Sequence, residues 1–150
     1  MKRITHVIFG IGSALFLLTP SIEKMVFAIF FSALGSVFPD MDIRFRHRVF
    51  LHNVFALTIA TAVLFFILKF FINIGEYVEV SILSFTIGFF THILLDTLTK
   101  TGVAFLWPFT TRRISFLKER YDNPYLNYVV SLMGVFFSLT YIYIIFKGGI

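Results

Sequence analysis

Residues 78–98 read Val78-Glu79-Val80-Ser81-Ile82-Leu83-Ser84-Phe85-Thr86-Ile87-Gly88-Phe89-Phe90-Thr91-His92-Ile93-Leu94-Leu95-Asp96-Thr97-Leu98. A helix needs roughly 20 apolar residues to cross a hydrocarbon core of about 30 Å, and this stretch has that length without a proline. Its small and polar residues recur at three- and four-residue steps: Ser81, Ser84, Gly88, His92, Asp96 and Thr99. That spacing draws one stripe along a helix. Small residues on such a stripe let membrane helices approach closely, because lipid gives no hydrophobic drive for their association. The stretch reads as a membrane-spanning helix whose polar face ends in a histidine and an aspartate.

The rest of the chain agrees. Of 150 residues, 58% are hydrophobic and 14% charged, and 22 are phenylalanine. Soluble domains carry about 45–50% apolar and roughly 25% charged residues, so this composition excludes one. It is also the opposite of the disorder signature. Four further apolar segments accompany the first: Ile4–Thr19, Met25–Phe38, about Val54–Ile74 and about Leu126–Phe146. The expected fold is all-α, a single-domain membrane bundle of about five transmembrane helices. The first two segments are short, and the turn between them carries Glu23 and Lys24. Those charges would be expensive in hydrocarbon, which favours two true spans over a re-entrant hairpin. Met1-Lys2-Arg3 before an apolar run suits a signal peptide, but no small-residue cleavage site follows, so the segment reads as a retained helix. Lys69 lies near the end of its span, where it can snorkel.

Basic residues set the orientation. Lys2, Arg3, Arg44, Arg46, Arg48, Lys100, Arg112, Arg113, Lys118 and Arg120 fall on one side, and only Lys24, Lys69 and Lys147 on the other. The positive-inside rule then places the N-terminus in the cytoplasm and the C-terminus outside. The basic residues are dispersed and sit in no nucleic-acid motif, so nucleic acid is not an expected partner; membrane lipid is.

The remaining helices carry stripes of the same kind. They are His6, Gly10 and Ser13; Ser32, Gly35 or Ser36, then Asp40; His52, Ala56 and Ala60; and Asn127, Ser131, Gly134 and Ser138. Close packing accounts for the Gly, Ala and Ser members. It does not account for the cytoplasmic ends. All four histidines, His6, His47, His52 and His92, and three of four aspartates, Asp40, Asp42 and Asp96, fall at or near helix ends on that one side. His92 and Asp96 are four apart, about 40° around a helix, and so share a face. Phe38-Pro39-Asp40-Met41-Asp42 stops a helix at its proline and sets two carboxylates on a short turn. Imidazole and carboxylate together are ligands for zinc, manganese or iron, and with no cysteine in the chain there is no thiolate to compete. Buried aspartates near lipid are costly unless they are paired or bind metal. Seven candidates exceed one four-ligand set, so one or two ions per chain are expected, zinc first and manganese as the alternative.

These residues also carry a resemblance. Thr5-His6, Phe38-Pro39-Asp40-Met41-Asp42, His47-Arg48 with Leu51-His52-Asn53, and Thr91-His92-Ile93-Leu94-Leu95-Asp96 with Thr99, Gly102 and Trp107-Pro108-Phe109 occur in that order. Over roughly residues 5–110 the chain resembles the YdjM-like family of inner-membrane, predicted metal-dependent hydrolases. The His92/Asp96 pair is similar, more distantly, to helical ligand pairs of zinc-dependent phospholipase C and zinc-dependent single-strand nucleases. The resemblance implies a membrane-embedded hydrolase with ligands drawn from His6, Asp40, Asp42, His47, His52, His92 and Asp96. Asn53 departs from the serine that follows this histidine in many members, and removes any hydroxyl from that position.

The leading expectation is therefore a metal-dependent hydrolase of a phosphoester, with a phospholipid-type substrate at the cytoplasmic face. Asp42 is the expected proton acceptor, and Arg48, with Arg112 and Arg113, the expected phosphate-binding group. Ile114–Tyr125 is expected to lie in the interface as a lid. Two alternatives stand beside it. One is a non-catalytic metal-binding membrane protein. The other is a divalent-cation transporter, which the lack of a carboxylate or histidine at mid-depth in any span disfavours.

Overall fold

The computed structural model describes residues 1–41 and 50–148. Among these residues five helices form: α1 (Arg3–Leu18), α2 (Ile22–Val37), α3 (Val54–Phe66), α4 (Tyr77–Asp96) and α5 (Pro124–Lys147). A 3-10 turn, Phe38–Met41, extends α2, and a π-helical turn, Ile67–Ile72, extends α3. Among the described residues no strand forms, only two isolated bridges. With their extensions α2, α3, α4 and α5 are each long and apolar enough to cross a membrane; α1 has 16 residues.

The second helix differs from its expected bounds for a physical reason. Glu23 and Lys24 mark the start of hydrocarbon in the sequence, but the helix itself starts before them. Glu23 lies in the first turn, where the helix dipole favours an acid, and Lys24 reaches Glu76 at 3.3 Å. At the other end Pro39 interrupts the α-helical ladder, yet its fixed φ suits one more turn of 3-10 helix. The span is thus Ile22–Met41, 20 residues rather than 14.

Helices α1, α2 and α4 pack on one another, α5 adds to α1, and α3 adds to α4. The stripes read from the sequence form these seams. Ser32, Gly35 and Ser36 of α2 and Ser81, Ser84 and Gly88 of α4 are buried. A Cβ on Gly88 would run into the Ser32 carbonyl oxygen, and one on Gly12 into that of Gly134. Backbone meets backbone at both crossings, which only glycine permits. Asn127 latches the starts of α1 and α5: its Oδ1 accepts from the Lys2 backbone N–H at 3.0 Å and from Thr5 Oγ1 at 2.9 Å. At the far end, Tyr141 donates to the Pro20 carbonyl at 2.9 Å. These contacts set α5 parallel to α1. Phenylalanines away from the seams, such as Phe71, Phe136 and Phe146, are exposed, as lipid-facing side chains are.

The connection from α4 to α5 is folded. Val103 and Ile114 exchange backbone hydrogen bonds at 3.0 and 2.8 Å, and Phe116 N–H reaches the Thr97 carbonyl at 2.8 Å. Ile114–Tyr125, expected in the interface as a lid, is thereby tied back through residues 114–119 to residues 97–103, whose Val103, like the neighbouring Ala104, is fully buried. The Phe105 carbonyl accepts from Val54 N–H at 3.1 Å, which joins this connection to the start of α3.

Candidate metal centre

Five of the seven expected ligands fall within the described residues, and the fold brings all five to one end of the bundle. His6 sits in the first turn of α1, Asp40 in the 3-10 turn after α2, and His52 two residues before α3. His92 and Asp96 close α4. Asp42 and His47, with Arg48, lie outside the described residues.

Local chemistry places each side chain. Asn53 caps α3, its Oδ1 accepting from Ala56 N–H at 2.7 Å and its Nδ2 donating to the Phe50 carbonyl at 2.7 Å. A residue expected as a serine is here an N-cap that fixes the chain direction beside His52. Asp40 lies where it does because the 3-10 turn carries α2 one turn further, alongside α4.

His92 decides how the site is to be read. Its Nδ1 lies 2.6 Å from the Ser36 carbonyl oxygen. A carbonyl only accepts, so Nδ1 carries the proton and the neutral ring presents its lone pair at Nε2. Nε2 is buried without a hydrogen-bond partner among the described residues. It faces Asp40 Oδ1 at 3.6 Å and Asp96 Oδ2 at 3.8 Å. His52 Nε2 faces the same two oxygens, at 3.9 and 3.6 Å. Two imidazole nitrogens and two carboxylate oxygens thus face one another in a closed circuit. Every step is too long for a good hydrogen bond. Ligands about 2.0–2.2 Å from a tetrahedral ion stand about 3.3–3.6 Å apart, so each of these four nitrogen–oxygen separations is within a few tenths of an ångström of what a shared ion requires. The residues fit a metal, and the Ser36 carbonyl supplies the outer-shell bond that orients a ligating histidine.

Asp96 joins a second group. Its Oδ1 accepts from the Met1 amino group at 2.5 Å and lies 3.3 Å from His6 Nε2. The His6 ring stacks on His92, with centroids 3.8 Å apart. The donor atoms of His6, His92 and Asp96 lie within 4.8 Å of one another, as do those of Asp40, His52 and His92. The two trios share His92, whose single Nε2 lone pair serves one ion at a time, so either trio, but not both at once, could hold an ion through it.

Burial gives the cluster a direction. His6, His52, His92 and Asp96 are at most 1% exposed, whereas the Asp40 side chain is 19% exposed. The site opens at Asp40. There Arg3 Nε approaches Asp40 Oδ2 at 3.4 Å. Sequence reasoning passed over Arg3, which served only as a topology signal; the clue was its place one helical turn before His6. Ser36 was read as a packing residue, and its backbone role carries no sequence signal. Arg112 and Arg113 are exposed, Arg113 reaching the Thr101 carbonyl at 3.5 Å, and neither forms an ion pair with Asp40 or Asp96 among the described residues.

Comparison with curated proteins and with solved structures finds no match. The family model described as YdjM inner membrane protein matches residues 1–149, so the chain belongs to that family and is a multi-pass protein of the inner membrane.

Proposed function

We propose that the protein is a metal-dependent hydrolase that cleaves a phosphoester of a membrane lipid at the cytoplasmic face. One observation carries the reading: two imidazole nitrogens and two carboxylate oxygens converge at 3.6–3.9 Å on the open end of a buried cluster. His52, His92, Asp40 and Asp96 would hold zinc, or manganese in its place, and His6 would extend the set to a second ion. When bound, such an ion supplies a Lewis acid for a phosphoryl oxygen and a water of lowered pKa.

The chain's own residues have distinct parts. His92 is held in one tautomer by Ser36, so its lone pair stays aimed at the cluster. Asp96 carries the negative charge that lets three histidines gather in an apolar bundle. Asp40 and Arg3 stand at the open side, where a phosphate arrives and a guanidinium holds it. Asp42 is assigned as the proton acceptor and Arg48 as a second phosphate-binding cation.

Near-complete burial of four ligands favours a second reading, a closed structural metal site without turnover. Hydrolysis of phosphatidic acid, presented in vesicles to the purified protein, separates the two. The hydrolase reading expects phosphate release that chelation abolishes and added zinc or manganese restores, with Asp40→Asn at least about a hundred-fold slower, as loss of an acid–base or ligand role demands. Chelation that unfolds the protein, with no turnover under any metal, supports the structural site.

A further inference from the structure

A groove of about 600 Å³ runs between α2 and α3. It exists because α3 packs on α4 and stands off from α2. Leu34 and Phe38 form one wall, Ile59, Val63 and Ile67 the other, and Phe85 of α4 the floor. Among the described residues no charged side chain lines it. Ala56 and Ala60 on α3 keep it open, since a larger side chain at either position would project into the space.

We infer that this groove binds one acyl chain of a cytoplasmic-leaflet lipid and so presents that lipid's phosphoester to the metal centre. Three properties select this occupant. The first is length. From Phe55 to Ile67 a helix rises about 18 Å, close to the ~15 Å of hydrocarbon in one leaflet. The second is lining. Among the described residues every side chain on the groove is apolar or aromatic, the surroundings a polymethylene chain requires. The third is continuity. The lining residues Met41 and Leu51 are the chain neighbours of Asp40 and His52, so the groove begins at the open side of the cluster and descends from there. A chain lying in it leaves its headgroup beside Asp40 and Arg3. The binding of a chain stands on this geometry; its role as the substrate's anchor rests on the hydrolase reading.

The test uses phosphatidic acid with a diazirine midway along one acyl chain, in nanodiscs of phosphatidylcholine. Adducts are mapped by mass spectrometry on wild type, Ala60→Trp, Val63→Trp and Asp96→Asn, and phosphate release is followed in the same samples. The expected adducts concentrate on Leu34, Phe38, Ile59 and Val63. In each tryptophan variant the groove adducts fall about ten-fold or more, since excluding only two methylenes from an apolar site weakens binding by about that factor. Adducts at lipid-facing Phe136 of α5 stay constant, and Asp96→Asn keeps its groove adducts. Adducts no denser in the groove than at Phe136 overturn the proposal, as do groove adducts consisting mainly of cross-links to a second copy. Groove adducts without phosphate release in any sample uphold the groove and count against the hydrolase. Phosphate release without groove adducts rejects the groove alone.

Discussion

Replacement of Asp96 by alanine is expected to cost about 3–5 kcal/mol of stability, the usual price of removing one partner from a buried charge cluster. The carboxylate is 1% exposed and serves both ligand groups: Oδ1 faces the Met1 amino group and His6, and Oδ2 faces His52 and His92. Without it, three imidazoles and an amino group remain at a buried helix end with their main counter-charge gone. A membrane bundle of this size has little surplus against such a loss, since total folding free energies are typically about 5–15 kcal/mol. The melting temperature in detergent should fall by about 10 °C or more. Asp96→Asn keeps the shape and an acceptor for the Met1 amino group, so it should melt closer to wild type while still losing its metal. Equal melting temperatures for wild type and Asp96→Ala would show that the cluster carries no structural charge.

Gly88→Leu is the second change with a large expected effect, although residue 88 lies a full turn from any ligand. Its Cβ would meet the Ser32 carbonyl oxygen, with the Ser36 backbone nitrogen 3.0 Å away. Main chain yields less readily than a flexible side chain, so the cost should lie at the upper end of the ~1–3 kcal/mol usual for overpacking. The functional consequence follows from the same seam. The Ser36 carbonyl that orients His92 and the turn that carries Asp40 both belong to α2, whereas His92 and Asp96 belong to α4. Pushing α2 away from α4 by about 1 Å stretches the 2.6 Å Ser36–His92 bond beyond hydrogen-bonding range. Loss of such an outer-shell bond lowers metal affinity by about 10–100-fold. Ala62→Leu, on the exposed side of α3, adds the same side chain away from any seam and should change neither stability nor affinity. A Gly88→Leu protein that binds metal like wild type would separate the helix crossing from the site.

What the sequence made legible follows from what each residue type can do alone. The stripe from Ser81 to Asp96 was readable because small residues at helical spacing have few other uses in a membrane helix, and the structure buries those residues in a helix that packs on α1 and α2. The gathering of His6, Asp40, His52, His92 and Asp96 was readable because alternating spans return their ends to the same membrane level. The start of α2 was not, because hydropathy treats Glu23 and Lys24 as a boundary while a helix dipole and the Glu76 partner accommodate them. The roles of Ser36 and Arg3 were hidden for another reason. Each depends on which helix lies beside it, through a backbone carbonyl in one case and a long side chain in the other. The groove beside α3 was equally hidden, since Ala56 and Ala60 read as packing residues until α3 is seen to stand off from α2.

Whether the histidines and aspartates hold an ion is decided by elemental analysis of the purified protein. Wild type, His92→Ala and Asp40→Ala are purified in parallel, supplemented with zinc or manganese, desalted, and measured for metal per chain. Wild type is expected to hold one or two equivalents of transition metal, His92→Ala, whose ring joins both trios, to lose nearly all of it, and Asp40→Ala to lose part or all. Wild type without stoichiometric metal after supplementation, or a His92→Ala protein that retains as much metal as wild type, would contradict a metal centre here.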